Sequence, residues 1–299
     1  KLFPTRDELT QLSLFEMVND ELIRINQLMS TYIPDSELSR LNQAKAGQAF
    51  TLSPDNVEVL TEAMRLNEIS AGAFDVTVGP LVNLWGFGPQ GRVTKQPEAS
   101  LIEESRAWVG ADKIQLQGSV AVKSHDKTYI DFSSIAKGYA VDRVAELLEQ
   151  QGITSYLVEV GGEMRLKGLK PDGKAWTVAV EKPVSNRREV QLIFSPGDMG
   201  MATSGDYRNY FEENGIRYSH SIDPVTAKPI THKLASVTIL HKSAATADAL
   251  ATAINVMGPV KGIEFAEKHQ IAAYMIVKTD DGFAEVLSSQ FEELIDKEK

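Results

Sequence analysis

Apolar side chains recur at helical spacing over residues 7–29 (Leu9, Leu12, Phe15, Val18, Leu22, Ile25 and Leu28), which predicts one long amphipathic helix. Ser53-Pro54-Asp55 predicts the start of a second, running to about Ser70. The serine hydroxyl suits the N-cap, proline is tolerated in the first turn, and Ala71-Gly72 ends the helix. A third helix is expected from about Ile135 to Gln151, stopped by Gly152. A strand over 155–160 and the Gly161-Gly162 turn follow. From 163 to 240 the pattern becomes that of strands. Candidates are 164–167, 176–180, 189–194, 199–203, 218–222 and 236–240, separated by Pro, Gly and Asp turns. Helices over 244–257, closed by Gly258, and over 259–269 lead to a last core strand at 272–277. The charged stretch 292–299 reads as a loosely held tail. Strands and helices alternate without a βαβ rhythm, so the expected class is α+β, as one domain or two intertwined lobes.

Composition narrows the function. With 299 residues the chain can bury a substantial core, and 42% apolar with 24% charged residues is ordinary for a soluble globular protein. A net charge of −10 disfavours nucleic acid as a main partner. The lack of cysteine removes disulfides, zinc–thiolate sites, Fe–S clusters and thiol nucleophiles. No run of about 18 apolar residues is present to span a membrane as a helix.

Four segments carry more polar or small residues than packing requires. In 70–88 (SAGAFDVTVGPLVNLWGFG), small residues allow close backbone approach to a ligand, and Asp75 and Thr77 interrupt an apolar run; a tight turn packed on Trp85 is the alternative. In 131–142 (DFSSIAKGYAVD) a strand end turns into a helix start. Exposed N–H groups and Lys137 there suit phosphate, against ordinary capping by Ser133 or Ser134. In 158–165 the paired glycines mark a sharp turn. In 246–253 (TADALATA), Asp248 and Thr252 are four apart and share a helical face. A carboxylate on so alanine-rich a helix needs a partner. A hard cation completed by phosphate and water is one, and the dipole of the helix N-terminus is the other. His220, in a strand leading to Asp223-Pro224, is a candidate general base or a structural histidine.

Taken together with 29–42 (MSTYIPDSELSRLN), 201–211 (MATSGDYRNYF) and 218–230 (YSHSIDPVTAKPI), these segments resemble, in order and over nearly the whole chain, the ApbE-type FAD:protein FMN transferase family. The resemblance implies a mixed β-sheet core with flanking helices, related to the tunnelling fold. It implies FAD as substrate and Mg²⁺ as cofactor. By position, Tyr32 matches the residue near the adenine end of FAD. Ala73, Phe74 and Asp75 match the loop lining it, and Lys137 and the Ile222 backbone match further contacts. Asp248 and Thr252 match the metal ligands, with a main-chain oxygen placed at Ser134, where the family often has Gly-Ala for Ser133-Ser134.

The implied reaction is phosphoryl transfer. An acceptor-protein threonine hydroxyl attacks the phosphorus of the FMN half and AMP leaves, with His220 as the base and Asp248 holding the metal. The acceptors implied are subunits of membrane redox complexes, of the Na⁺-pumping NADH:quinone reductase or Rnf type. The location implied is the periplasm, at the inner membrane, through a lipid on a segment not in this sequence. Two alternatives stay open: hydrolysis of FAD to FMN and AMP, and a flavin carrier without chemistry.

Overall fold

The computed structural model describes residues 11–89, 91, 95–184, 189–205, 210–213 and 216–296. The expected helical residues 7–10, part of the 201–211 segment and the last residues of the tail lie outside these. The chain divides into two compact units, each drawn from separate stretches. One comprises 1–24, 135–208 and 233–299; the other comprises 25–134 and 209–232.

The first unit is built on a six-stranded sheet. In chain order its strands are Tyr156–Val160, Glu163–Lys167, Gly200–Gly205, Leu234–His241, Ala272–Thr279 and Gly282–Leu287, and their order in the sheet is the same. All five ladders are antiparallel, so in strand direction this sheet is not mixed. The reason is visible between the fourth and fifth strands. The helical stretch Ala244–Lys268 breaks at Gly258, whose backbone (φ 77°, ψ 179°) is not helical, with Pro259 next. The second half then folds back: a Cβ at Gly262 would lie 2.9 Å from Ile254 Cγ2. Two helical segments return the chain to the end it left, and the next strand must run antiparallel.

One face of the sheet carries that helix and Ala136–Gln150, which also pack on each other. Leu14, Val18 and Leu22 of the helix Gln11–Met29 pack with Val141, Val144 and Leu148. On the opposite core lie Leu166, Trp176, Met201, Tyr274, Ile276 and Phe291. Phe291 is fully buried and belongs to Ser289–Asp296, so the expected loose tail is a packed helix through most of its length.

Two contacts fix how the paired helices meet. A Cβ at Gly138 would fall 2.2 Å from the Ala244 carbonyl oxygen, so only glycine permits this approach. Asp142 then reaches the N-terminus of the 244–268 helix. Its carboxylate accepts from Ser243 Oγ (2.8 Å) and from the N–H groups of Ala244 and Ala245 (both 3.0 Å).

The second unit holds the helix Pro54–Ile69, capped as expected by Ser53, whose hydroxyl accepts from the Asn56 N–H. It also holds a three-stranded sheet of Ala49–Thr51, Val120–Lys123 and Ile114–Gln117, with Val120–Lys123 in the middle. The expected strand over 218–222 is two pieces, Ile216–Ser219 and Ile222–Asp223, each in its own hairpin. Lys123 is fully buried here, its ammonium donating to three carbonyls, those of Asn42, Asp126 and Thr128. Three acceptors replace the water it gives up.

Candidate active site

Lys137, Asp248 and Thr252 fall in the first unit; Tyr32, Ala73, Phe74, Asp75, Ser134, His220 and Ile222 fall in the second. In the first unit the structure brings Lys137 and Asp248 together and adds a residue that the sequence did not single out, Glu163. Lys137 Nζ lies 2.6 Å from Glu163 Oε1 and 3.6 Å from Asp248 Oδ1. Asp248 Oδ2 accepts the Gly138 N–H at 3.1 Å. Thr252 stands one turn from Asp248 on the same helix and is half-buried.

Capping by Ser133 or Ser134, the alternative reading of this helix start, does not form. Ile135 occupies the N-cap of the 136–150 helix with no side-chain bond, and Ser133 instead donates its N–H to Asp131. The positive end of that helix receives the Asp248 carboxylate. The two helices therefore exchange caps: Asp142 of the first serves the second, and Asp248 of the second serves the first.

The charge count of this cluster is uneven. Two buried carboxylates face one ammonium, and Glu163 Oε2 is buried without a hydrogen-bond partner. Burial, then the Asp248 charge, pushes the Glu163 carboxyl up to about 7 against the pull of Lys137. Burial likewise raises Asp248, which Lys137 and the Gly138 N–H oppose. Burial alone would lower the Lys137 ammonium, but Asp248 and Glu163 outweigh it and its pKa rises. A site with surplus negative charge and an unsatisfied buried oxygen suits a small hard cation. Among the described residues no group of three or more His, Cys, Asp or Glu is placed to hold a metal ion.

In the second unit the 70–77 loop is held by its own polar groups. Phe74 is fully buried; its N–H donates to Ser70 Oγ and its carbonyl accepts from Asn67. Both backbone groups are thus engaged, and Phe74 anchors the loop from within. Ala73 and Asp75 are half-buried. Asp75 Oδ1 accepts from Thr77 N–H (2.8 Å) and Thr77 Oγ1 (2.6 Å), while burial raises its pKa against those bonds. Tyr32 is 70% exposed and lines an open cavity of about 380 Å³ with Thr31, Asn42, Pro89 and Tyr129.

Aromatic rings position the histidine. Trp85 stacks on Tyr218, Tyr218 on Phe211, and Phe211 on Phe87, and His220 meets the Phe87 ring edge-on at 6.4 Å. Ile222 is buried in the same apolar cluster as Trp85.

Asp131, which has no assigned role, is buried, and burial pushes its carboxyl upward despite the Ser133 N–H. A raised carboxyl favours the fold below its unfolded pKa, and that advantage is lost as pH rises through the folded value. Asp131→Asn keeps the oxygen that Ser133 needs. Its stability relative to the parent should therefore increase from about pH 5 to about pH 8, read by urea denaturation at each pH.

A model of the ApbE family matches residues 4–275. An FAD:protein FMN transferase of Vibrio cholerae is 51% identical over 276 residues, which span 92% of this chain and 83% of that one. An FAD:protein FMN transferase of Haemophilus influenzae is 50% identical over 276 residues, 90% of this chain and 80% of that one. Among solved structures, a flavin transferase ApbE from Vibrio cholerae matches with a TM-score of 0.91 at 47% identity, covering 98% of this chain and 93% of that one. A Pseudomonas stutzeri flavinyl transferase ApbE in its apo form matches with a TM-score of 0.90 at 40% identity, covering 99% and 92%.

Proposed function

The chain belongs to the ApbE family, and on that premise we infer how its residues act as an FAD:protein FMN transferase. FAD is the substrate. A hydroxyl oxygen of the acceptor protein, taken here as a threonine, forms a bond to the phosphorus of the FMN half. The bond from that phosphorus to the AMP oxygen breaks, and the hydroxyl proton passes to a base. The products are a phosphodiester-linked FMN, AMP and a proton. Such a centre is dense in negative oxygen, so positioning and charge neutralisation dominate the rate.

The observation that carries this reading is the Lys137–Glu163–Asp248 cluster, in which two buried carboxylates face one ammonium. Asp248 and Thr252 are assigned as side-chain ligands of Mg²⁺, and the Ser134 main-chain oxygen as the third ligand that the family resemblance implies. Bound there, Mg²⁺ would draw charge from the diphosphate and stabilise the departing AMP. Lys137 holds the two carboxylates in place and presents positive charge to the substrate. His220, seated by the aromatic stack, is assigned as the base that takes the hydroxyl proton. Ala73, Asp75 and the Ile222 backbone are assigned to FAD contact, with Phe74 supporting the loop from below.

Tyr32 is assigned to the adenine end. Aromatic stacking on a base contributes about 1–3 kcal/mol, so Tyr32→Ala should weaken FAD binding roughly tenfold or more in flavin-fluorescence titration. The side chain is 70% exposed, so Tm should not move. The acceptors proposed are subunits of membrane redox complexes of the Na⁺-pumping NADH:quinone reductase or Rnf type, and the location proposed is the periplasmic face of the inner membrane. No helix among the described residues is long and apolar enough to cross a membrane.

Release of AMP separates the possible activities. With FAD and Mg²⁺ alone, a transferase should release little AMP, and adding acceptor should raise the release in step with acceptor labelling. Full-rate release without acceptor would mean hydrolysis, and intact FAD under both conditions would mean a carrier.

A further inference from the structure

The strand Gly200–Gly205 pairs along its full length with Leu234–His241, but on its other side, among the described residues, only Met201 and Gly200 are in register, with Met164 and Arg165. Beyond Met201 the Gly161-Gly162 hairpin leaves this strand, and that ladder ends. In an antiparallel strand alternate residues turn both backbone groups to the same side. The Met199 carbonyl accepts from Leu166 N–H on the hairpin side. By alternation Thr203 and Gly205 face that side too, past the end of the ladder. The gap is a groove of about 440 Å³, lined by Gly161, Gly162 and Glu163 on one wall, Thr203 and Gly205 on the other, and Ala179 of a neighbouring strand. Glu159 and Glu181 also border it, and Glu163 belongs to the Lys137–Asp248 cluster.

We propose that this open edge receives an extended segment of the acceptor protein, which pairs as an added strand with Thr203 and Gly205 and carries its threonine toward Glu163. The proposal rests on the transferase reading, because it names how that reaction's second substrate docks. Backbone pairing at an open strand edge is a general way of holding an extended peptide. Glycine and alanine on the walls leave room for a main chain. Three glutamates around the groove disfavour acidic side chains next to the threonine, and one of them joins the groove to the cluster assigned to catalysis.

The test uses, as probe, an acceptor subunit of an Na⁺-pumping NADH:quinone reductase whose modified threonine is replaced by valine, so that the complex persists. With enzyme, FAD and Mg²⁺ present, the probe should slow amide deuterium exchange in the peptide covering 200–205 by about tenfold or more. Unchanged exchange there at saturating probe would overturn the proposal. Ala179 is exposed, so Ala179→Trp should fold while filling the groove. It should raise the KM for the unaltered acceptor about tenfold, with kcat and FAD affinity within about twofold of the parent. An unchanged acceptor KM would also overturn it. If the parent enzyme places FMN on the unaltered acceptor yet both signals are absent, docking alone is wrong. If it places none, the transferase reading fails and this proposal with it.

Discussion

Replacing Asp248 with asparagine should lower FMN transfer by more than about a hundredfold while leaving the metal-free protein as stable as the parent or more so. The two halves of this expectation have separate causes. Asp248 and Glu163 are both buried against the single ammonium of Lys137. Asparagine leaves one carboxylate to one ammonium, keeps an oxygen for the Gly138 N–H and changes little volume. The cluster is thereby relieved of charge that the fold alone does not balance. The same change removes the anionic ligand assigned to Mg²⁺. Asp248→Ala should lose transfer equally but also stability, because Gly138 then has no acceptor. Transfer rates with FAD, Mg²⁺ and acceptor, set beside thermal unfolding in chelator, read both quantities. Near-parental transfer in Asp248→Asn would remove the metal assignment.

Asp142→Ala should cost about 3–5 kcal/mol of folding stability. The carboxylate takes Ser243 Oγ and two N–H groups at the start of the 244–268 helix, and Arg165 approaches it at 2.9 Å. Truncation strands these donors in a largely buried place and leaves the guanidinium only Glu149, at 3.5 Å. Asp142→Asn should cost less, since its oxygen still caps the helix. The helix that loses this carboxylate, and keeps only the Ser243 hydroxyl at its N-cap, is the one bearing Asp248 and Thr252, so transfer should fall in Asp142→Ala even well below its Tm. Chemical denaturation gives the first number, and transfer at low temperature gives the second. A loss under about 1 kcal/mol would mean that the exchanged caps do not hold these helices.

Features set by neighbours in the chain were legible before folding. Ser53 before Pro54 capped its helix, Gly258-Pro259 broke one, and Gly161-Gly162 turned where expected, with both glycines at positive φ. The pair Asp248 and Thr252 was legible because four residues make one helical turn. In the C-terminal helix the helical spacing of Phe291, Leu294 and Ile295 is obscured by a run of charges. The strand before it, Gly282–Leu287, is signalled only by the Asp280-Asp281-Gly282 turn. Asp142 and Glu163 could not be assigned from sequence. Asp142 acts on residues about a hundred positions away, and nothing near either residue in the chain indicates the partner. Capping by Ser133 or Ser134, the local alternative at that helix start, gives way to the distant Asp248 carboxylate.

Whether this chain joins FMN to a protein hydroxyl is read from the intact mass of an acceptor subunit after incubation with the enzyme, FAD and Mg²⁺. The mass should rise by one FMN phosphoester, and the gain should vanish when the acceptor threonine is replaced by valine. An unchanged acceptor mass while FAD is split to FMN and AMP would mean that the chain is a hydrolase instead.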